Sequence, residues 1–272
     1  MNKKVLITII VVIVVIAAAV GAYLIFSGSD YSLYSKAFTK TFDTDSMELN
    51  MTVKAEVSGG DKISSTANYK LKGMKSNTTQ FINVMDIGDH TITQFSDGQF
   101  VYTDDGQNKN KVKLGDQPAE KQQDNKSGSG DFSFETYITE FSGLLDASKF
   151  KDLNAIEAVA EKYVDKIETA TVSGGKQFIV TLLPQAVDDL VDTFLTDNLS
   201  NSNSNTPSVK INKVTYTATV SSDYVTEIVF KIDADVTAPG ESSAKKVVVD
   251  FVIKPANPGK AVSFSLPSTD GF

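Results

Sequence analysis

Apolar and polar residues alternate over long stretches near both ends of this 272-residue chain. From Met47 to Val57 every second residue is apolar, and polar residues such as Glu48, Asn50 and Lys54 stand between them. Further strand-like segments occur at 63–71, 80–87, 90–95, 99–103, 214–220, 224–236, 247–253 and 262–266. A period of two is typical of half-buried strands, so we expect an antiparallel meander with strands longer than usual.

Helical spacing of apolar residues marks four other stretches, at 31–42, 134–145, 156–164 and 187–195. Between the last two, residues 168–183 predict a hairpin that turns at Ser173-Gly174-Gly175. Residues at about 115–131 and 198–207 are polar and low in complexity, which predicts two mobile loops.

One interruption of the alternation predicts a β-bulge. Val209 and Ile211 are out of phase with the apolar set that begins at Val214, so an extra residue is expected near Asn212-Lys213. The strands from both ends of the chain can join one sheet, and the helices between them can cover its apolar face. The pattern therefore predicts a single α+β domain.

Residues 5–26 form an uncharged apolar run of 22 positions. As a helix it would be roughly 33 Å long, enough to cross a bilayer core of about 30 Å. Lys3 and Lys4 precede the run and the next lysine is Lys36, so the positive-inside rule places the N-terminus in the cytoplasm. We therefore expect a cytoplasmic N-terminus (1–4), a transmembrane signal anchor (5–26), a lead segment (27–45) and an extracytoplasmic domain (46–272).

A cleaved signal peptide is the alternative interpretation of the same run. Its basic start and its small residues up to Ala22 fit such a peptide, and cleavage would secrete the domain. The apolar run continues through Phe26, however, and is longer than the usual hydrophobic region of about 7–15 residues, which favours an uncleaved anchor.

Composition excludes several classes of function. The chain has no cysteine, so lipidation at a cysteine, disulfides and thiolate metal sites are excluded. All 26 basic residues are lysine and the net charge is −8. Nucleic-acid binding usually requires a basic face and arginine, so no nucleic-acid partner is expected.

No catalytic or metal-binding site emerges from the motifs. His90 is the one histidine, which is too few for a catalytic triad or a histidine metal cluster. Ser-x-x-Lys occurs four times, as expected by chance in a chain rich in both residues, and the matches at Ser173 and Ser243 fall in predicted turns. The aspartates at 43–45 and 104–108 do not have calcium-loop spacing. We expect neither an enzyme nor a cofactor.

Large apolar residues on the predicted strands and helices are the candidates for contact with a hydrophobic ligand. They are Met51, Tyr69, Phe81, Tyr102, Phe134, Tyr137, Phe141, Phe194 and Phe230. Two interpretations stay open. These side chains form a filled core, or the helices and the sheet leave an apolar cavity that admits a lipid or another hydrophobic ligand.

Several segments together resemble the LolA/LppX-like half-barrel superfamily of bacterial envelope proteins. They are the export segment, the strand beginning at Ser46, LKG at 71–73, SDGQFVYTDDG at 96–106, the central helices and AVSFSLP at 261–267. The resemblance implies a single, strongly curved antiparallel sheet of long strands, a half-barrel, with the inserted helices on its concave face. It also implies binding of lipids, lipoprotein acyl chains or glycolipids, although some relatives are sensors.

The predicted function is therefore a membrane-anchored extracytoplasmic protein that binds a lipid or another hydrophobic ligand at the cell surface. The alternative is a structural, interaction or sensor module of the bacterial envelope with a filled core and no ligand. Many members of the superfamily are lipid-modified or soluble carriers, and a chain held by residues 5–26 departs from them. Such a chain can receive, pass on or sense a lipid at its membrane, but it cannot carry the lipid away.

Overall fold

The structure is a computed structural model that describes residues 32–60, 62–76, 78–87, 90–114, 164–185, 187–188, 208–237 and 240–272. The predicted transmembrane run at 5–26, the predicted loops at 115–131 and 198–207, and the helical stretch at 134–145 lie outside these ranges. Among the described helices, none is long and apolar enough to cross a membrane.

The described part of the chain contains a complete helix, eleven strands and the helical residues 184–185 and 187–188, where the predicted helix at 187–195 begins; residues 189–195 and 156–163 lie outside the described ranges. Helix α1 (Ser32–Phe42) comes first. The strands are β1 (Ser46–Val57), β2 (Lys62–Lys72), β3 (Gln80–Ile87), β4 (His90–Ser96), β5 (Phe100–Asp104), β6 (Lys109–Lys113), β7 (Val164–Val172), β8 (Gly175–Leu182), β9 (Ser208–Ser221), β10 (Tyr224–Thr237) and β11 (Lys245–Ala256).

All eleven strands belong to one antiparallel sheet, in the order β6-β5-β4-β3-β2-β1-β11-β10-β9-β8-β7. The first and the last strand pair along ten positions, from Glu48 opposite Ala256 to Val57 opposite Val247. The expectation that strands from both ends of the chain join one sheet is confirmed. The sheet is not closed, because β6 and β7 lie at its opposite edges.

The alternation of the strands gives the sheet one apolar face, which we call the core face. Its buried residues include Leu49, Tyr69, Phe81, Phe178, Tyr216, Phe230 and Phe251. The opposite face of the central strands is polar, and ion pairs such as Lys246–Asp233 (2.7 Å) and Lys254–Glu227 (2.9 Å) join neighbouring strands there. Most of the apolar surface that the sheet buries therefore lies on the core face.

The predicted bulge is confirmed at Asn212. Lys213 pairs with Asp233 and Ile211 pairs with Ala234, which leaves Asn212 as the extra residue of β9. Its side-chain amide donates to Asp233 (3.3 Å) and Asp235 (3.0 Å) of β10. The extra residue brings Ile211 and Val214 onto the same face, and both are buried.

Helix α1 packs on the core face near β8, β9 and β10. The ring of Tyr34 lies 5.2 Å from that of Phe178, and its hydroxyl shares a hydrogen bond with the hydroxyl of Tyr216. Near the other end of the helix, the hydroxyl of Thr41 accepts from the backbone N–H of Val225 (2.8 Å). The predicted helix at 31–42 is thus confirmed within one residue. The predicted hairpin at 168–183 is also confirmed, as β7 and β8, although β7 begins four residues earlier.

Three details of the predicted elements were wrong. Val164 is the first residue of β7 rather than the end of a helix, and the exposed strand β6 was not predicted. Residues 262–266 are not a strand. Both edges of β1 are already paired, with β2 and β11, so the sheet offers no free edge where the chain returns.

Residues 257–272 instead run without regular structure across the opposite face, and we call this segment the C-terminal strap. The N–H of Val262 donates to the Ser46 hydroxyl (2.9 Å), and the ammonium of Lys72 donates to the carbonyl of Phe264 (3.2 Å). Further along, the ring of Phe272 packs edge-on against Phe95 and Tyr102. The strap thereby covers apolar rings on a face that is otherwise polar.

Candidate ligand-binding face

Four of the nine predicted site residues lie on the core face. Met51, Tyr69 and Phe81 follow one another on β1, β2 and β3, and the rings of Tyr69 and Phe81 are 5.4 Å apart. Phe230 lies further along the sheet, on β10. Tyr69, Phe81 and Phe230 are buried, whereas Met51 is partly exposed and packs against the core.

Tyr102 lies on the opposite face, apart from these four residues. It stands opposite Phe95 in the pairing of β4 with β5, and the two rings stack at 4.8 Å. Phe272 of the C-terminal strap covers both rings. The structure therefore does not bring Tyr102 together with the other described candidates. Phe134, Tyr137, Phe141 and Phe194 lie outside the described residues.

The hydroxyl of Tyr102 belongs to a tight turn between β4 and β5. It donates to one carboxylate oxygen of Asp97 (3.0 Å), while the other oxygen accepts from the N–H groups of Gln99 and Phe100 (2.8 Å each). Desolvation raises the pKa of Asp97, but these three donors outweigh it, so the pKa lies below its ordinary value of 3.8.

Replacing this carboxylate gives a pH-dependent prediction. Because the folded pKa of Asp97 is lowered, its contribution is present above the unfolded value of about 3.9 and disappears as the pH falls through the lower folded pKa. Asp97→Asn keeps the acceptor oxygen but loses the charge. We expect it to lower the free energy of unfolding by about 1–2 kcal/mol at pH 7, and by much less near pH 2.5.

Urea unfolding at the two pH values measures this difference. Asp250→Asn is the matched control, because Asp250 forms a surface ion pair with Lys231 at 3.7 Å and its side chain is 42% exposed. Such a pair contributes little, so the control should lose less than about 1 kcal/mol. An equal loss for Asp97→Asn at both pH values would contradict the assignment.

A row of uncharged polar side chains crosses the core face from β2 to β5. Tyr69 stands opposite Asn83, Asn83 opposite Gln94, and Gln94 opposite Thr103. Tyr69, Asn83 and Gln94 are each 1% exposed. The amide nitrogen of Gln94 donates to the Thr103 hydroxyl at 3.3 Å, which links the end of the row. We call these four residues the polar row.

Three atoms of the polar row are buried and have no hydrogen-bond partner among the described residues. They are the hydroxyl of Tyr69 and the amide oxygens of Asn83 and Gln94. A buried polar atom without a partner costs about 1–3 kcal/mol, so three in adjacent positions are unusual. Burial also raises the pKa of Tyr69, which keeps its hydroxyl protonated.

The surroundings of the polar row are apolar and uncharged. Leu49, Leu71, Phe81 and Val101 are buried in the same layer. On the core face of β1 to β5, His90 is the one ionisable side chain apart from tyrosine; it stands at the start of β4 and is exposed. The row can therefore form hydrogen bonds, but this part of the sheet offers no charge to pair with an ionic group.

The described residues were also searched for cavities and for groups of possible metal ligands. A cavity of about 10 Å³ lies between the end of α1, the start of β1 and residues 255–260, which is about the room that one water needs. It is far below the roughly 300 Å³ of a small-molecule site. Among the described residues, no three His, Cys, Asp or Glu side chains are grouped so that they could hold a metal ion.

The sequence analysis did not identify the polar row. From the sequence alone, Asn83 and Gln94 could lie on either face of their strands. The register between β2, β3 and β4 would have placed them beside Tyr69, but a single sequence does not give the register.

Comparison with known proteins gives structural likeness at low identity. The chain matches no family model and no curated protein sequence. It is similar to the crystal structure of a LolA superfamily protein from Nitrosomonas europaea, at 12% identity and a TM-score of 0.26, over 84% of this chain and 94% of that one. It is also similar to a DUF1329 family protein from Desulfovibrio piger, at 12% identity and a TM-score of 0.26, over 86% of this chain and 94% of that one. The first structure belongs to the superfamily that the sequence was found to resemble, but a likeness of this degree supports no conclusion about function.

Proposed function

We propose that this protein is a non-enzymatic, membrane-anchored protein whose extracytoplasmic domain binds a lipid or another hydrophobic ligand. In this proposal, residues 5–26 span the cell membrane with the N-terminus in the cytoplasm. The sheet curves into a half-barrel, and the helices inserted in the chain lie on its concave face. Secretion after cleavage of the N-terminal run is the alternative location.

The observation that carries the proposal is the breadth of the uncharged apolar core face. Apart from residues at the strand ends, the core faces of β1 to β5 and β8 to β11 carry no charged side chain. The two longest strands, β9 and β10, have 14 residues each, or roughly 46 Å of extended chain. A face of this size favours a long apolar ligand over a compact polar one.

A single sheet cannot bury such a face by itself, so a second layer is required. In the described part of the chain, the ring contacts and hydrogen bonds of α1 with the sheet go to β8, β9 and β10. Tyr69 and Phe81 on β2 and β3 are nevertheless buried. We infer that the inserted helices and a hydrophobic ligand share the space over β1 to β4.

Photo-crosslinking of the full-length chain in lipid vesicles tests this proposal. The vesicles contain a diacylglycerol whose acyl chain carries a diazirine. Trypsin separates the two regions of interest, because the predicted anchor lies between Lys4 and Lys36 and strand β1 lies beyond Lys40. We expect adducts on the anchor peptide from surrounding lipid, and additional adducts on core-face residues such as Met51.

Two variants of adjacent residues locate the ligand on one face of β1. Met51→Glu places a charge on the core face, and Thr52→Glu places the same charge on the opposite face. Because an unpaired charge in an apolar site costs several kcal/mol, Met51→Glu should reduce the core-face adducts by about tenfold or more. Thr52→Glu should leave them unchanged. Adducts confined to the anchor peptide of the unaltered chain would refute lipid binding by the domain.

A filled-core structural or interaction module is the second candidate function. It is favoured by the close burial of the core face and by the small volume of the cavity beside α1. In this case the crosslinking experiment gives anchor adducts alone, and the protein acts through a protein partner rather than through a lipid.

A further inference from the structure

We propose that the polar row is a subsite for an uncharged, hydroxyl-bearing head group of the bound lipid. The inference rests on the proposed function and adds the chemistry of the ligand's polar end. The residues that form the subsite are Tyr69, Asn83 and Gln94, on three adjacent strands, with Thr103 as the support of Gln94.

The missing hydrogen bonds define what the head group must offer. The amide oxygens of Asn83 and Gln94 can only accept, and neither has a donor among the described residues. The Tyr69 hydroxyl can donate or accept, and it too lacks a partner there. A ligand with two or more hydroxyl or N–H donors would satisfy the row, whereas a purely hydrocarbon ligand would leave all three atoms unpaired.

The absence of charge on this part of the face selects against an ionic head group. A phosphate or carboxylate placed at the row would meet two carbonyl oxygens, which repel an anion, and no lysine lies on the core face of β1 to β5. An ammonium group would find no carboxylate there. Burying an unpaired ion costs far more than burying a hydroxyl, so an uncharged polyol or glyceryl group fits best.

Neighbouring apolar residues place the lipid's chains beside this subsite. The ring of Tyr69 leans towards Phe81, at 5.4 Å between ring centres. On the other side, Leu49 of β1 stands opposite Tyr69 and leads to the wide apolar surface of β1, β11 and β10. A lipid oriented with its head at β3 and β4 would place its acyl chains along that surface.

Competition between two lipids with identical acyl chains tests the head-group preference. The full-length chain in phosphatidylcholine vesicles is crosslinked to the diazirine diacylglycerol. The unlabelled competitor is monooleoylglycerol, which has two hydroxyl donors, or oleoyl lysophosphatidic acid. Since the two competitors differ only by a phosphate, their relative potency reports on the head group. We expect monooleoylglycerol to suppress the core-face adducts at a concentration at least about tenfold lower, as hydrogen bonds from its two hydroxyls to the two amide oxygens imply.

Variants of the row should remove this preference and keep the chains bound. In the double variant Asn83→Leu and Gln94→Leu, we expect core-face adducts to persist and the two competitors to become equally potent within about twofold. Tyr69→Phe removes one hydroxyl, keeps the ring contact with Phe81, and should reduce the preference in part. Gln177→Leu is the control, because Gln177 donates to Thr219 at 3.3 Å on the opposite face in the same way that Gln94 donates to Thr103.

Thermal unfolding without added diacylglycerol gives a second measurement that does not depend on crosslinking. If the row lacks partners until a ligand binds, Asn83→Leu and Gln94→Leu should raise the Tm of the ligand-free chain, since they remove unpaired polar atoms. Gln177→Leu, which breaks a formed hydrogen bond, should not raise it.

The outcomes separate this inference from the proposed function. If the unaltered chain gives no core-face adducts, lipid binding itself is refuted and the inference falls with it. If adducts form but both competitors are equally potent, or the leucine variants keep the preference, lipid binding stands and the head-group subsite is refuted.

Discussion

Phe230→Ala should lower the free energy of unfolding by about 3–5 kcal/mol, which is the range for truncating a fully buried phenylalanine. Phe230 is 2% exposed, on β10, which is paired on both sides. It stands in register with Tyr216 on β9 and with Phe251 on β11, at ring-centre distances of 5.1 and 6.0 Å. Three strands meet at this side chain, so the cavity left by alanine cannot close by moving one of them.

Urea unfolding of the full-length chain, followed by tyrosine fluorescence, measures the loss, because the chain has nine tyrosines and no tryptophan. Val248→Thr is the control. Val248 lies on the opposite face of β11, is 39% exposed, and threonine keeps its shape and β-branching. The control should change stability by less than about 0.5 kcal/mol. A loss below 1 kcal/mol for Phe230→Ala would mean that the core around β10 is loosely packed.

Much of the sheet could be predicted because alternation and turns are local properties of the chain. The strand that begins at Ser46 and the hairpin at 168–183 each follow from a period of two broken by turn residues. The bulge at Asn212 was predictable for the same reason, since a phase change between Ile211 and Val214 has no other simple solution in a strand with one buried face.

The face of a strand is less predictable where the alternation fails. Phe100, Val101 and Tyr102 are three consecutive apolar residues, so two opposite orientations of β5 fit the sequence equally well. The pairing with β4 selects the one in which Val101 faces the core and Tyr102 faces away. That choice is stable because Phe272, 170 positions along the chain, covers the outward rings. No local pattern contains this contact.

The polar row depends on register in the same way. Each of its members is an ordinary strand residue. They form a polar row only because the register places them opposite one another on β2, β3 and β4. The apolar candidates Tyr69 and Phe81 were identified by size alone, which does not predict the polar neighbours Asn83 and Gln94. Under the head-group proposal, the expected ligand changes from any hydrophobic molecule to one with an uncharged polar end.

Gly175→Ala should destabilise the edge of the sheet where β8 joins β9. A Cβ atom at this position would overlap the backbone carbonyl oxygen of Val220 and lie 3.0 Å from its carbonyl carbon. Backbone atoms cannot rotate away as a side chain can, so β8 must shift along its pairing with β9. We expect a loss of about 1–3 kcal/mol, the usual cost of overpacking, measured by urea unfolding.

Gly60→Ala is the matched control, because Gly60 also lies at a hairpin turn, between β1 and β2. A Cβ there would meet Val57 at 3.8 Å, an ordinary van der Waals distance. Without strain or overlap, the substitution restricts the unfolded chain and should be neutral or stabilising by a few tenths of a kcal/mol.

Hydrogen exchange shows which strands of the sheet Gly175→Ala destabilises. The amides of β8 and β9 should lose protection in Gly175→Ala while those of β1 and β11 keep it, because the overlap lies near the β7 edge and the centre of the sheet is paired on both sides. Equal loss of protection across all the strands would show that the sheet unfolds as one unit and that its edge has no separate stability.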